Sequence, residues 1–555
     1  MMNRTPAAFR NPLPLLVASG VLMSLCAAAL AAPEYPETAM TPKGLTLAER
    51  QWLQQNPLLP PAAVTPPPSG PVRCASEYEP MEGIILAWEG PTSWTDIVAQ
   101  MAAAITTSGN ALAYVGIDAV GENTTCNSRV SSFGGNTANI RYVSGANDTI
   151  WIRDYGPRYI FEGDSARPVR GIVDHSYNRP RPNDDNWDST WSTYRKHKYY
   201  ELPLIHGGGN MHLNGIGAAF ATQLIVNENP GRTAAQIIDI WRQYQNINTS
   251  ITLPFPTNVD ITQHIDMWMY ISADDAVLIS DWDQNRGSTQ DTICNSQAAS
   301  MAGSGYRVVR VPARSIGGTH YTYTNAVMCN DIVLVPKYPT TLGATLDNLA
   351  LAAWQNLCPG KTIIQINCEA IVTSAGVMHC ICMHVPKHKG RVDGTGLAPT
   401  VYQRTLRGGQ IIPRGGTQNI DWTADDDQAV SNVTVSLSLD GGSTWSNLAT
   451  NIADSGRYVW TVPTSGPNVP NARIRVTARD AGNRTDWDPG VTNFFLGTPC
   501  VADINLDDTV DFFDYLDFVQ LFATGSAAAD FNADTVIDFF DYLDFVSAFA
   551  GPCQP

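Results

Sequence analysis

The stretch GIILAWEGPTSWTDIVAQMAAAITT, residues Gly83–Thr107, indicates the fold of the region around it. A short apolar run, GIILAW, is followed by a helical segment from Trp94 to Thr107. The same alternation returns in Thr233–Tyr244, which is helical in pattern, and in the apolar run DIVLVP, Asp331–Pro336. Apolar runs that alternate with helical segments predict an α/β domain, which we place at residues 74–388.

The region after this domain has a different pattern. At residues 398–498, short alternating runs such as NVTVSLSL and RYVWTV are separated by turn clusters, including DGGS at Asp440–Ser443. This spacing predicts an antiparallel β-sandwich. SLDGGSTW, Ser438–Trp445, resembles immunoglobulin-like modules of bacterial exported proteins. Because no residue here suggests chemistry, we expect a spacer.

The beginning of the chain predicts export. Residues 1–31 combine a basic start, an apolar stretch from Leu13 to Leu25 and the small residues Ala29–Ala31, which together are typical of a cleaved signal peptide. No later run approaches the length of a transmembrane segment, so we expect a secreted or cell-surface protein. Residues 32–73 are Pro-rich and predict a linker or pro-segment with a short helical stretch around Thr46–Gln55.

The charge of the chain excludes one class of partner and marks the C-terminus. The 555 residues hold 35 Lys+Arg against 52 Asp+Glu, a net charge of −17, which argues against nucleic-acid binding. Residues 500–553 contain 11 Asp and no Lys or Arg. In an oxidising compartment, Cys500 and Cys553, which bracket this tail, are the disulfide pair we expect.

The acidic tail contains a repeat. DFFDYLDFV occurs at Asp511–Val519 and at Asp538–Val546, and a D-x-N-x-D loop precedes each copy. Oxygen ligands at loop positions 1, 3, 5, 7 and 12 predict one Ca²⁺ in each copy. The predicted ligands, including the carbonyls of Thr509 and Val536, are Asp503, Asn505, Asp507, Thr509 and Asp514, then Asp530, Asn532, Asp534, Val536 and Asp541.

The repeat resembles a duplicated dockerin-type calcium module with paired short helices. It departs from that pattern at position 6, where Asp508 and Thr535 replace the usual Gly. The resemblance implies a structural role for calcium and a cohesin-like or cell-surface partner. An acidic helical hairpin without metal is the alternative.

Four islands of the α/β region carry the chemistry. Taken singly, each residue has an ordinary structural explanation, such as a core histidine or a buried thiol. Together, one Cys, one His and two Asp suit thiol attack on a planar, cationic substrate. The islands are NDTIWIRDYGP at Asn147–Pro157, HIDMW at His264–Trp268, YTN at Tyr323–Asn325 and GVMHCIC at Gly376–Cys382.

In this order the islands resemble the Porphyromonas-type peptidylarginine deiminase and agmatine deiminase family of the guanidino-group-modifying superfamily. The resemblance extends from about Glu77 to Pro386 and also rests on EYEPMEGIILAW, Glu77–Trp88, and HGGGN, His206–Asn210. It implies a five-bladed α/β propeller with pseudo-fivefold symmetry and a central active site.

The resemblance also implies roles. Asp154 and Asp266 hold the guanidinium through paired hydrogen bonds. Cys380 attacks the guanidinium carbon, His264 acts as acid and then base, and Asn325 supports the substrate or the nucleophile. The products are a citrulline-type urea and ammonia, and no cofactor is expected for catalysis.

Two alternatives concern the cysteines. Cys382 is a rival nucleophile, because a strand would place it on the same face as Cys380. The family pattern puts the nucleophile directly after His, which favours Cys380. A metal site formed by Cys380, Cys382 and His384 is the other alternative, although C-x-C spacing is poor for zinc.

The stretch YNRPRPNDD, Tyr177–Asp185, bears on the substrate. Arg179 and Arg181 form a cationic pair that would repel agmatine and attract a carboxylate, so the resemblance implies peptidyl arginine, preferentially at a C-terminus. Trp151 and Asp148 are further candidate substrate contacts.

Three other interpretations stay open. The arginines could belong to a solvated loop neutralised by Asp184 and Asp185. The chain could be an agmatine or free-arginine deiminase, agmatine being the putrescine branch. It could also be a non-catalytic, calcium-dependent binding or scaffold protein.

Overall fold

The computed structural model describes residues 31–61 and 64–551. The predicted signal peptide therefore lies outside the described residues up to its last position, and so does Cys553. Within those ranges, no helix is long and apolar enough to cross a membrane. Cys500 is disulfide-bonded, whereas the other eight cysteines of the described part are free and buried.

Five sheets with one shared arrangement form the α/β region of the described chain. In each, a central strand pairs antiparallel with one neighbour and parallel with another, and helix connects the parallel pair. Five copies of one unit are what the predicted pseudo-fivefold fold requires; the closed propeller itself stays a prediction. The sheets are Cys382–Pro386, Met81–Ala87, Leu112–Ile117 and Ile140–Ser144; Val72–Cys74, Arg158–Glu162, Val169–Tyr177 and Lys198–His206; His212–Leu213, Ala218–Thr222 and Asn248–Thr252; Met269–Ala273, Ala276–Asp281 and Arg307–Pro312; Val327–Cys329, Ile332–Lys337 and Thr362–Asn367.

The first and last strands of this region meet. Met81–Ala87 lies between Cys382–Pro386 and Leu112–Ile117, so the segment after the candidate nucleophile is anchored to the start of the domain. GIILAW forms most of the central strand, and Ile84, Ile85 and Leu86 have no exposed surface. A strand buried on both faces reads as a continuous apolar run, which explains the pattern.

The helices begin where the sequence offers caps. Thr233 caps its helix through a reciprocal capping box with Gln236, and Thr46 does the same with Glu49. The predicted helices Trp94–Thr107 and Thr233–Tyr244 are confirmed within two residues at each end. The α-helices are Leu47–Leu53, Thr92–Thr106, Glu122–Ser132, Ile152–Tyr155, Pro182–Asp185, Trp187–Arg195, Leu224–Glu228, Ala234–Gln245, Thr289–Gly303, Ala344–Leu357, Phe512–Ala523 and Phe539–Ala550.

Two sheets follow the α/β region and pack around a common core. Trp422 and Trp460 from one sheet meet Val435 and Ile474 from the other. This arrangement is a β-sandwich; its immunoglobulin-like class stays a prediction. The strands are Thr400–Gln403, Thr417–Asp425 and Arg457–Thr461 in one sheet, and Ile411–Ile412, Val430–Ser438, Ser446–Ile452, Val469–Asp480, Thr485–Asp488 and Phe494–Leu496 in the other.

One buried carboxylate joins the sandwich to the α/β region. Arg170 donates to Asp425 from Nε at 2.7 Å, and neither side chain is more than 1% exposed. His197 and His388 lie 3.1 Å from the same carboxylate. Although burial raises the pKa of Asp425, Arg170 and the two histidines hold it well below its usual value.

The tail folds as the predicted pair of helices. Phe518 and Phe545, one from each copy, stack with ring centroids 4.0 Å apart. In both loops the side chain at position 1 accepts two main-chain N–H groups, and the position-12 carboxylate of Asp514 or Asp541 accepts others. Asp508 and Thr535 have φ of 70° and 73°, so they adopt the left-handed conformation that Gly usually takes there.

Part of the Pro-rich segment is buried against the α/β region. Residues 34–56, which we call the strap, contain the predicted short helix at Leu47–Leu53. Within the strap, Lys43 and Glu49 have no exposed surface. The strap therefore packs against the α/β region, and the candidate active site lies beneath it.

Candidate active site

Cys380 lies in a tight turn that precedes a strand. His379–Ile381 form a 3₁₀ helix, and the strand begins only at Cys382. The prediction that Cys380 and Cys382 share a strand face is therefore wrong. His264 directly precedes a 3₁₀ helix, Ile265–Met267, and Asp266 lies within it, so neither residue is in a strand.

Asn325 organises the loop that carries Cys380. Its side-chain oxygen accepts from the main-chain N–H groups of Val377, His379 and Cys380 at 3.1–3.3 Å. Its amide nitrogen donates to Asp266 Oδ2 at 3.0 Å and to Cys380 Sγ at 3.1 Å. Asn325 thus fixes the nucleophile and one carboxylate in the same place, all three side chains being fully buried.

Asp266 is held from its other side by a histidine. His379 Nδ1 lies 2.8 Å from Asp266 Oδ2, and His379 Nε2 lies 3.0 Å from Glu77 Oε1. Burial raises the pKa of Asp266, but Lys43 and His379 outweigh it and hold that pKa below its usual value. Asp266 is therefore ionised at neutral pH.

Asp154 and His264 complete the site opposite a glycine. His264 Nδ1 lies 3.4 Å from Asp154 Oδ1. A Cβ at Gly209 would lie 2.8 Å from His264 Nδ1 and 2.9 Å from an oxygen of each of Asp154 and Asp266. Only glycine fits where these three side chains converge, which explains the glycine at position 209 of the HGGGN motif.

The polar atoms of this site are not saturated by the protein. Asp154 Oδ2, Asp266 Oδ1 and both ring nitrogens of His264 are buried without a hydrogen-bond partner. Orphaned buried polar atoms are rare and need an explanation. Two carboxylates beside a thiol suit a planar cation with several N–H donors, such as a guanidinium.

A lysine of the strap lies at this point. Lys43 Nζ donates to Cys380 Sγ at 2.9 Å and lies 3.5 Å from Asp154 Oδ1. Burial lowers the pKa of Lys43, but Asp154, Asp266 and Cys380 raise it above its usual value. The pKa of the Cys380 thiol is raised by burial and by Asp266, and Lys43 counteracts this.

The predicted substrate arginines form hydrogen bonds to the strap. Arg179 donates from Nε to the main-chain carbonyl of Lys43 at 3.0 Å. Arg181 donates from Nε to Glu49 Oε1 at 2.8 Å, and both side chains are fully buried. Trp151 donates from Nε1 to the carbonyl of Thr41 at 2.9 Å.

The remaining predicted substrate contact has another task. Asp148 accepts from the main-chain and side-chain nitrogens of Asn183, each at 2.8 Å. Asp184 accepts from the main chain of Asp148 and Thr149, so this carboxylate braces a loop and does not neutralise the arginines directly. Asp148 is thus placed beside the arginine loop, and its contact with substrate stays a prediction.

Cys382 is separated from the pocket by an arginine. Arg153 Nη2 lies 3.6 Å from Cys382 Sγ and 2.9 Å from His384 Nδ1. The guanidinium fills the space between these two side chains, which argues against a metal held by Cys380, Cys382 and His384. Burial raises the pKa of Cys382 to about 12.

Some site residues had no assigned role in the sequence. Glu77 and His379 fall inside the EYEP and MHC motifs, and Gly209 inside HGGGN, so the motifs marked their position but not their task. Lys43 and Glu49 lie in the Pro-rich segment, where no pattern indicated a contact with the site.

Comparisons with known proteins match the α/β region. The family model described as Porphyromonas-type peptidyl-arginine deiminase matches residues 73–386, more than half of the chain. A protein assigned as an agmatine deiminase from Marinomonas sp. (strain MWYL1) is 23% identical over 294 residues, 45% of this chain and 76% of its own length. Another, from Yersinia pseudotuberculosis serotype O:1b (strain IP 31758), is 24% identical over 290 residues, 45% of this chain and 78% of its own.

A solved structure shares the fold. The agmatine deiminase of Enterococcus faecalis superposes with a TM-score of 0.50 and 19% identity, covering 59% of this chain and 99% of its own. The chain therefore belongs to the Porphyromonas-type peptidyl-arginine deiminase family and is a guanidino-group deiminase.

Proposed function

We propose that this protein is an exported deiminase that converts peptidyl arginine to citrulline. The observation that supports a peptide substrate is the path of the strap. A polypeptide main chain crosses the site while the side chain of Lys43 enters between Asp154 and Cys380. A site that binds the main chain of the residue whose cationic side chain fills the pocket suits peptidyl arginine better than a free amine.

Arg179 offers the second argument. Its Nε binds the carbonyl of the same residue whose side chain fills the pocket, at 3.0 Å. In a peptide that ends in arginine, a carboxylate oxygen would occupy this place and gain a charge-assisted bond. Agmatine has no group there, and the arginine would only repel it. A C-terminal arginine is therefore the preferred substrate in this proposal.

The chemistry follows from the charges of the pocket. The guanidinium replaces the Lys43 ammonium and binds the free oxygens of Asp154 and Asp266, which holds its central carbon beside Cys380 Sγ. Because a cation at this point opposes the raised pKa of Cys380, bound substrate itself favours the attacking thiolate.

The reaction then proceeds in two displacements. Sulfur bonds to the guanidinium carbon, and one C–N bond breaks as His264 supplies the proton that lets ammonia leave. Water, deprotonated by His264, next attacks the S-alkylthiouronium carbon and expels the Cys380 thiolate. Citrulline and ammonia are the products, and neither step needs a cofactor.

We also propose that the two tail loops bind calcium as a structural ion and that residues 1–31 direct export. Agmatine remains the second candidate substrate, because the two curated relatives described above are assigned as agmatine deiminases.

The test is ureido-group formation with matching ammonia release from three substrates: a peptide ending in Arg, the same peptide with Arg internal, and agmatine. We expect the order C-terminal, internal, agmatine in kcat/KM. Arg179→Gln should weaken the first substrate most and leave agmatine unchanged or improved. Preference for agmatine, or an equal loss on every substrate, would contradict the peptidyl assignment.

A further inference from the structure

The strap presents two charges that match the two ends of the proposed substrate. Lys43 places a cation among Asp154, Asp266 and Cys380, and Glu49 places a carboxylate on Arg181 at 2.8 Å. Both side chains have no exposed surface. In the described part of the strap, Lys43 therefore stands in for the guanidinium of a substrate and Glu49 for its carboxylate.

Lysine differs from arginine in one chemically decisive respect. Its ammonium carries the charge and donates N–H bonds, but it has no electrophilic carbon for Cys380 to attack. A bound lysine therefore occupies the pocket without being turned over. The main chain of the strap is fastened at the same point, because Lys43 donates its own N–H to Ser374 at 2.9 Å and Trp151 binds the Thr41 carbonyl.

The strap is also separable from the domain it covers. The family match begins at residue 73, after the strap ends. Between them, Leu59 is 74% exposed, and in the described part of the linker the first hydrogen bond to the domain is the one from Thr65 to Glu201. A protease could therefore reach residues 57–61 and release the strap without cutting a strand.

We propose that residues 34–56 are an intramolecular pseudosubstrate that keeps the exported enzyme inactive until the strap is displaced or cut away. This inference rests on the proposed function for the identity of the substrate, but closure of the pocket by the strap can be tested separately. A pseudosubstrate competes with substrate, so its removal lowers the apparent KM and leaves kcat unchanged.

The first experiment compares Lys43→Ala with Arg50→Ala in the full chain, using a peptide ending in Arg. Arg50 is a cation of the same strap helix that faces solvent, so it controls for a change of charge. We expect Lys43→Ala to raise kcat/KM at least tenfold and Arg50→Ala to change it less than twofold. An unchanged rate overturns the inference. A loss of kcat also overturns it and makes Lys43 part of catalysis.

The second experiment converts the inhibitor into a substrate. Lys43→Arg gives the strap the missing guanidinium carbon, and peptide mass spectrometry should find citrulline at position 43. Cys380→Ala in the same background should leave arginine there. Arginine that persists at position 43 in a protein able to turn over free peptides shows that the strap does not reach the pocket.

The third experiment separates closure from catalysis. Glu49→Gln keeps the capping box but removes the charge bound by Arg181, and it leaves the groups around the thiol unchanged. Iodoacetamide should modify Cys380 at least fivefold faster in this variant than in Arg50→Ala. Faster modification without citrulline formation would keep the strap and refute the deiminase proposal; citrulline formation with equal modification rates would do the reverse.

Four carboxylates lie close together where the strap begins. Oxygen atoms of Glu37, Glu89, Asp118 and Glu122 all lie within 4.8 Å of one another. Glu89 is only 5% exposed, and its Oε1 has no hydrogen-bond partner. One oxygen of Asp118 accepts the main-chain N–H of Asn147, and one oxygen of Glu122 accepts those of Asp118 and Ala119.

We infer that this cluster binds a divalent cation, with calcium favoured by an all-oxygen ligand set. Glu37 belongs to the strap and the other three to the α/β region, so the ion would fasten the strap at a second point.

Calorimetric titration with Ca²⁺ tests this site against Glu89→Gln, with exposed Glu34→Gln as the matched control. We expect Glu89→Gln to bind one ion fewer than the control and wild type; ions in the tail loops are common to all three and cancel. Equal stoichiometry overturns the site.

Discussion

Replacing Asn325 by alanine should uncouple the nucleophile from its carboxylate. The substitution removes the side-chain acceptor of three buried main-chain N–H groups, those of Val377, His379 and Cys380, although His379 keeps the Asn325 carbonyl at 3.3 Å. Each buried, unpaired donor costs about 1–3 kcal/mol, and water entering the space recovers part of that. We therefore expect the free energy of unfolding to fall by about 3 kcal/mol.

Turnover should fall for a related reason. Without Asn325, Cys380 Sγ and Asp266 Oδ2 lose the donor that fixes them at 3.1 and 3.0 Å. Misplacement of a reacting atom by about 1 Å can cost 100-fold in rate, so we expect kcat to fall by about 100-fold, or 2.7 kcal/mol.

Two further variants separate the effect on kcat from the effect on stability. Asn330→Ala removes three hydrogen bonds to the main chain of Met81 and Gly109, away from the pocket, and should destabilise the fold without changing kcat. Asn325→Asp keeps the acceptor but adds negative charge beside Asp266, so kcat should fall with a smaller loss of stability. Urea unfolding and citrulline release measure both effects. If Asn325→Ala loses stability but keeps kcat within twofold of wild type, the reasoning is refuted.

Three other changes test the remaining parts of the structure. Cys380→Ala should abolish turnover, whereas Cys382→Ala should keep most of it, since Cys382 faces Arg153; the opposite result in a citrulline assay would exchange their roles. Asp425→Ala leaves Arg170 buried beside Glu82 alone and should cost about 3–5 kcal/mol in urea unfolding, while kcat stays unchanged. Because the pKa of Asp425 is depressed, wild type should keep this contribution above about pH 4 and lose it as the pH falls further, and Asp425→Ala should show a weaker acid dependence. Asp421→Ala, whose partner Arg457 is 57% exposed, is the control and should change little. Chelation should change the circular dichroism of the tail helices without changing the kcat of the enzyme; lost turnover would contradict a structural role for calcium there.

The sequence predicted the elements of the fold better than the path of the chain through the site. GIILAW and DIVLVP lie in strands because a run of buried apolar residues has few alternatives in an α/β protein. The strand interpretation failed at Cys380, because spacing of two residues does not distinguish a strand from a short 3₁₀ turn, and His264 also lies beside such a turn. Only tertiary contacts at Asn325 and Gly209 specify those turns.

The residues that form the site were predictable, but the residue that occupies its pocket, Lys43, was not. The motifs supplied the His and both Asp that converge on Gly209, and the Cys that Asn325 joins to Asp266. Lys43 lies more than a hundred residues from each of them in sequence, in a segment whose proline content indicates a linker. A single ammonium that complements a pocket formed by distant residues leaves no local pattern in the sequence.

The shared carboxylate of Asp425 has a consequence for how the chain unfolds. Arg170, His197 and His388 belong to the α/β region, yet all three rely on one residue of the sandwich. Neither region can open alone without leaving a desolvated charge behind, so a calorimetric scan should show them melting in one cooperative transition. The change of sequence pattern near residue 398 marks a boundary of architecture, but the unit of stability extends across it.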